Sequence, residues 1–193
     1  NVLFYEYLYF ACMKVVTFGG NFCYFPMMSY DMVFVDDSYN QCYERVKHPH
    51  IIHLRSGVSD NNWESRRYRI AYMIREITSM MNDDLFLVDS DVFIPVSQQV
   101  FPTSFCIPAR AKPGNDIMLF CRSTNVYIPV QLLKTVHDIM NYYIENKLYK
   151  TYFVDIYLHT YVPFLQKVIP GTCHWVLGKK YCISDGYNIV QTF

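Results

Sequence analysis

Four apolar residues, Leu85-Phe86-Leu87-Val88, run straight into Asp89-Ser90-Asp91. A run of that length reads as a short strand delivering two carboxylates at its end. In extended backbone, Asp89 and Asp91 share one side and Ser90 takes the other. Two hard oxygen ligands on one side suit Mg²⁺ or Mn²⁺, with a phosphate supplying further oxygens. The plain alternative is an Asp-rich turn that closes a strand.

The same pattern occurs earlier, where Asp31-Met32-Val33-Phe34-Val35 closes on Asp36-Asp37-Ser38. His50 to Leu54 gives a third strand, and Asn1 to Glu6 reads as the first. Leu8, Ala11, Cys12, Val15 and Val16 follow helical spacing up to Gly19-Gly20. Asn61 and Glu64 form a capping box, behind which Ile70, Ile74, Ile77 and Met81 mark one helical face. Alternating strands and helices up to residue 91 predict βαβ units and a mostly parallel sheet.

Beyond Pro95 the pattern changes. Ser104–Ala109 and Asp116–Arg122 read as strands around Lys112-Pro113-Gly114-Asn115. A hairpin centred on Pro113-Gly114 sets Cys106 opposite Cys121, as a disulfide or a close thiol pair. Pro129 opens a helix at its first position, running to about Lys147, with Val130, Leu133, Val136 and Met140 on one face. A second helix covers roughly Tyr152 to Leu165, and short strands and turns follow from Lys167.

At 193 residues the chain is expected to form one domain with a sizeable core. Net charge is zero, and no acidic or basic tail is present, which disfavours binding nucleic acid through bulk charge. Glu6 and Lys14 interrupt the apolar stretch from Val2 to Phe18, so no transmembrane segment is expected. The start at Asn1 instead of Met implies that a few leading residues are missing. The seven cysteines show no CxxC or zinc-ligand spacing, and most read as small buried hydrophobes.

In open α/β sheets, ligands bind beyond the carboxyl ends of the parallel strands. Asp36-Asp37 and Asp89/Asp91 both occupy such ends, so the two acidic sites should share a crevice. Carboxylates crowded there repel unless a cation or sugar hydroxyls occupy the gap.

At these residues the chain resembles the nucleotide-sugar glycosyltransferases of the GT-A fold. Val33-Phe34-Val35-Asp36-Asp37-Ser38 resembles the family's VVDDGS segment, whose acid contacts the nucleobase or ribose. Ser65-Arg66-Arg67-Tyr68 is similar to its ARN helix start, and Leu85-Phe86-Leu87-Val88-Asp89-Ser90-Asp91 to its FLDADD metal motif. Val154-Asp155 resembles the ED acid that serves as catalytic base. Three departures stand out. No Gly follows Asp37, no Asn follows Arg67, and Val154 replaces the Glu of ED.

The resemblance covers about residues 1–175. It implies a Rossmann-like, mixed and mostly parallel sheet flanked by helices. Residues 1–94 would form a nucleotide-binding half and residues 95–193 an acceptor-binding half. It further implies transfer of a sugar from a nucleotide diphosphate to an acceptor hydroxyl of a glycan, protein or lipid, with inversion. Asp89 and Asp91 would hold Mn²⁺ or Mg²⁺, with His174 as a third ligand. Asp36 or Asp37 and Asp89 would contact the nucleoside, Arg66 or Arg67 the diphosphate, and Asp155 would be the base. Length and motif set are similar to those of virus-encoded members from turreted icosahedral viruses of hot-spring archaea, acting in the host cytoplasm.

Two other readings fit parts of the same pattern. Leu87-Val88-Asp89-Ser90-Asp91-Val92 is similar to the haloacid-dehalogenase phosphohydrolase motif, with Asp89 as nucleophile and Asp91 as acid/base. That motif normally lies on the first strand, whereas nearly half of this chain precedes it. A non-catalytic binding protein that keeps the fold is the third reading.

Overall fold

The computed structural model describes residues 14–18, 30–39, 49–89, 92–93, 106–108, 126–162, 165–167, 173–176, 179–184 and 188–191. The segment Lys14-Val-Val-Thr-Phe18 is strand β1, where helical spacing had pointed to a helix. Its β-branched run explains the difference, since Val and Thr lose side-chain freedom in a helix and pack well on a pleated sheet. The first strand expected over residues 1–6 lies outside the described residues.

β2 (Met32–Asp36), β3 (Ile51–Leu54) and β4 (Leu85–Asp89) fall on three of the apolar runs. All are parallel in the order β3-β2-β1-β4, with Phe34, Phe18 and Asp89 in lateral register. Chain order therefore reverses between β1 and β4. Beyond β4 the sheet continues through β7 (Val126–Ile128), β6 (Cys106–Pro108) and β8 (Leu165–Lys167). β7 is antiparallel to both neighbours, and β6 and β8 are parallel, so the sheet is mixed and mostly parallel. Cys106 stands opposite Tyr127 and Leu165. This register differs from the hairpin that would set it against Cys121, a residue outside the described set.

After Asp89 the chain leaves this sheet. β5 (Val92–Phe93) belongs to a second, antiparallel sheet in the order β11-β10-β9-β5. Its other strands are β9 (Cys173–Val176), β10 (Lys179–Ser184) and β11 (Asn188–Gln191).

Helix α1 (Trp63–Met80) starts one residue later than the capping-box spacing suggests. Asn62 is the N-cap, and its side chain accepts the Ser65 amide at 2.8 Å. Asn61 instead accepts from Arg66 Nε. Helix α2 (Val130–Glu145) has Pro129 as its N-cap and not as its first helical residue. A distant carboxylate serves that end, because Asp84 accepts the Val130 amide at 2.9 Å and the Tyr127 hydroxyl at 2.6 Å. Leu133, Val136, Met140 and Tyr143 are buried, whereas Val130 is exposed. Helix α3 (Val154–Tyr161) is shorter than the sequence suggested, ending before Pro163.

One face of β1, β2, β4 and β7 carries Val16, Phe18, Phe34, Leu85, Leu87, Val126 and Ile128. These pack with Ile74 and Ile77 of α1, Val136 and Met140 of α2, and Leu158 of α3. Thr17, Val33, Val35 and Phe86 alternate with them and are buried too. Burial on both faces is what a central parallel sheet requires.

Candidate functional site at the carboxyl edge of the parallel strands

Asp36 and Asp89 end parallel strands on the same edge, with β1 between them. Two strand spacings place them about 10 Å apart across the sheet, and Asp36 lies two residues (about 7 Å) further along. The crossover point beside β1 is where ligands of open α/β sheets bind.

The two acids after β2 have different environments. Asp36 is buried. Its Oδ1 accepts the amides of Ser38 and Ser56, each at 3.0 Å, and its Oδ2 accepts the Ser56 hydroxyl. This single carboxylate ties the turn after β2 to the loop after β3. Gly57 completes the tie with φ +77°, donating its amide to Ser38 Oγ at 2.8 Å. That left-handed backbone suits glycine.

Asp37 stands outside this knot. Its Oδ1 lies 2.9 Å from Nδ1 of His53, whose side chain is half exposed.

Arg69 of α1 is a site residue that sequence reasoning missed. It is buried, donates to the Asp60 carbonyl, and lies 3.6 Å from the ring centre of Tyr39. Burial lowers its pKa from the usual arginine value, while Tyr39 and Asp36 act in the opposite direction. A signal was present, since Arg69 precedes Met73 and Ile77 at helical spacing and so falls on the buried face.

The neighbouring arginines diverge. Arg66 is exposed, held by Asn61 and 5.4 Å from the Trp63 ring centre. Arg67 reaches the opposite way, donating to the carbonyls of Tyr149 (3.2 Å) and Lys150 (3.4 Å), with its guanidinium 4.2 Å from the Phe153 ring centre. Its Nε is buried without a hydrogen-bond partner. Arg67 therefore joins the start of α1 to the chain entering α3.

Asp155 sits in the first turn of α3 and accepts the Ile156 amide at 3.0 Å. Tyr143 lies close by, fully buried and donating its hydroxyl to the Tyr152 carbonyl. Burial drives the Tyr143 pKa well above the ordinary phenol value, with Arg67 opposing and Asp155 adding to the rise. Arg67 and Asp155 thus act in opposite directions on one phenol, although the resemblance set them in different halves.

His174 of β9 is directly opposite Val92 of β5, the residue after Asp91. Opposed residues of an antiparallel ladder have Cα atoms about 4.5 or 5.5 Å apart. The backbone therefore brings His174 to the corner where the chain passes from Asp89 into the second sheet. Asp91 itself lies outside the described residues. Among the described residues, no three His, Cys, Asp or Glu side chains gather as a metal site.

The chain is 33% identical to the uncharacterized protein ORF208 of Acidianus filamentous virus 2, over 85% of this chain and 81% of that protein. Protein 209 of Sulfolobus islandicus rod-shaped virus 1 is 30% identical over the same shares. The chain belongs to this family of archaeal-virus proteins. A second member from Acidianus filamentous virus 2, ORF238, is 32% identical over 62% of this chain and 53% of its own length. No family model matches the chain. These relatives come from filamentous and rod-shaped viruses, whereas the resemblance pointed to turreted icosahedral ones, and their names carry no activity. Among the described residues, no helix of this family member is long and apolar enough to cross a membrane.

Proposed function

We propose that this chain is a metal-dependent glycosyltransferase of the GT-A kind, moving a sugar from a nucleotide diphosphate to an acceptor hydroxyl with inversion. The observation that carries the reading is Asp89 ending β4 beside β1, where chain order reverses, with Asp36 and Asp37 on the same edge. A mixed, mostly parallel sheet with helices agrees with it. The reaction would run inside the host cell on a glycan, protein or lipid acceptor.

Asp37 would accept hydrogen bonds from the nucleoside, because Asp36 is already committed to Ser38 and Ser56. Arg66, exposed at the start of α1, would meet the diphosphate, where guanidinium and helix terminus both favour anions. Arg67 would support the start of α3 and not the donor.

Two carboxylates and an imidazole, from Asp89, Asp91 and His174, form a donor set suited to Mn²⁺ or Mg²⁺. The backbone placement of Asp89 and His174 is consistent with that use. Held there, such an ion would supply positive charge that offsets the charge of the diphosphate. Asp155 takes the proton of the acceptor hydroxyl as the new glycosidic bond forms and the sugar–phosphate bond breaks.

Thermal shift with Mn²⁺ and nucleotide diphosphates tests the reading, alongside turnover of a generic phosphate ester. The transferase reading expects stabilisation that needs metal and nucleotide together and is lost in Asp91→Ala. Ester hydrolysis lost in Asp89→Asn would replace it with the phosphohydrolase. Silence in both assays would leave a binding protein.

A further inference from the structure

Cys173 of β9 stands directly opposite Cys182 of β10 in the antiparallel ladder of the second sheet. Opposed residues there have Cα atoms about 4.5 or 5.5 Å apart. A disulfide accepts Cα separations of roughly 4.4–6.8 Å. Both kinds of ladder position fall within that range. The third cysteine among the described residues, Cys106, lies in the other sheet opposite Tyr127 and Leu165.

We propose that Cys173 and Cys182 form a cross-strand disulfide that staples β9 to β10. The oxidant is a low-molecular-weight disulfide such as oxidised glutathione. One cysteine thiolate attacks it and expels one thiol; the second cysteine thiolate then attacks the mixed disulfide and expels the other. Two protein thiols become one S–S bond, and the oxidant's S–S bond becomes two thiols.

The staple fixes the strand register, since a one-residue slip sends opposed side chains to opposite faces. That register sets His174 opposite Tyr181, and the separate pairing of β9 with β5 sets it opposite Val92. The bond therefore ties to β10 the same strand, β9, that carries His174 and meets β5 on its other edge.

Lys179 and Lys180 lie between the two cysteines, so trypsin separates them unless a disulfide holds the peptides together. The full chain, equilibrated with oxidised glutathione, is unfolded with an alkylating agent and no reductant, then digested and mapped by mass. The expected product is one pair of peptides carrying Cys173 and Cys182, lighter by two hydrogens than the free peptides and split by reductant. Complete alkylation of both cysteines overturns the proposal, as does a link from either to another cysteine. Alkylation that proceeds only after a chelator is added also overturns it, by showing a metal-held thiol pair. In the native protein, reductant should lower Tm, and Cys182→Ser should abolish that drop. An equal drop in the variant would assign the effect to other cysteines and remove the stapling role.

Discussion

Asp36 accepts hydrogen bonds from both the amide and the hydroxyl of Ser56, across the ends of two neighbouring strands. Its third partner is the Ser38 amide, so a buried carboxylate holds both loops of the candidate crevice. Asp36→Ala should leave those donors without partners and cost about 2–4 kcal/mol of stability. Urea unfolding measures this. A loss under about 0.5 kcal/mol would mean that the loops do not depend on the carboxylate.

Asp37 should behave in the opposite way. Its pairing with His53 is partly exposed, and such pairs contribute at most about 1 kcal/mol. Asp37→Asn should therefore unfold almost like the parent, yet bind nucleotide diphosphate about tenfold or more weakly, the value of one charge-assisted hydrogen bond. Calorimetric titration in Mn²⁺ decides it. Equal affinity would take the nucleoside contact away from Asp37.

Much of the sheet was legible because β2, β3 and β4 are short apolar runs whose ends carry polar residues. Lys14–Phe18 was not, since apart from Lys14 residues 8–16 are all apolar or aromatic, and helical spacing is then met by chance. Its Val15-Val16-Thr17 run was the better guide. The sequence also could not separate Asp36 from Asp37. What separates them is Ser56, brought back by the parallel pairing of β2 and β3. The same holds for Arg67, whose partners Tyr149 and Lys150 become neighbours only when α1 packs near α3. The pairing of Val92 with His174 is likewise a long-range register, invisible to local periodicity.

Asp155 and Arg67 can be told apart by what each variant loses. Asp155→Asn keeps the shape of the first turn of α3 and should leave Tm within about 1 kcal/mol equivalent of the parent. Nucleotide binding should persist while sugar transfer falls about 10²–10⁴-fold. Arg67→Ala removes hydrogen bonds to two carbonyls and a cation–ring contact. It should destabilise by about 1–3 kcal/mol while nucleotide affinity holds. A destabilised Asp155→Asn with normal transfer would make that acid a helix-start residue only.

Tyr143 ties α2 to the entry of α3 and gives alkaline stability a definite sign. Its hydroxyl donates to the Tyr152 carbonyl, and burial holds the proton on well above the ordinary phenol range. In the unfolded chain the same phenol ionises near pH 10. Above that pH the unfolded state binds fewer protons than the folded one, so this group's contribution to stability falls as pH rises. Below pH 10 both states are protonated and the contribution is complete. Tyr143→Phe should therefore cost about 0.5–1.5 kcal/mol near neutral pH, the worth of the lost hydrogen bond. The gap between parent and variant should then narrow as pH climbs from 10 to 11. Tyr72 and Tyr157 are also shifted upward by burial, but they occur in both proteins and cancel in that difference. Denaturant unfolding of the two proteins at pH 7, 9, 10 and 11 measures it. A gap that stays constant across that series would mean that Tyr143 ionises as readily in the folded protein as in the unfolded chain.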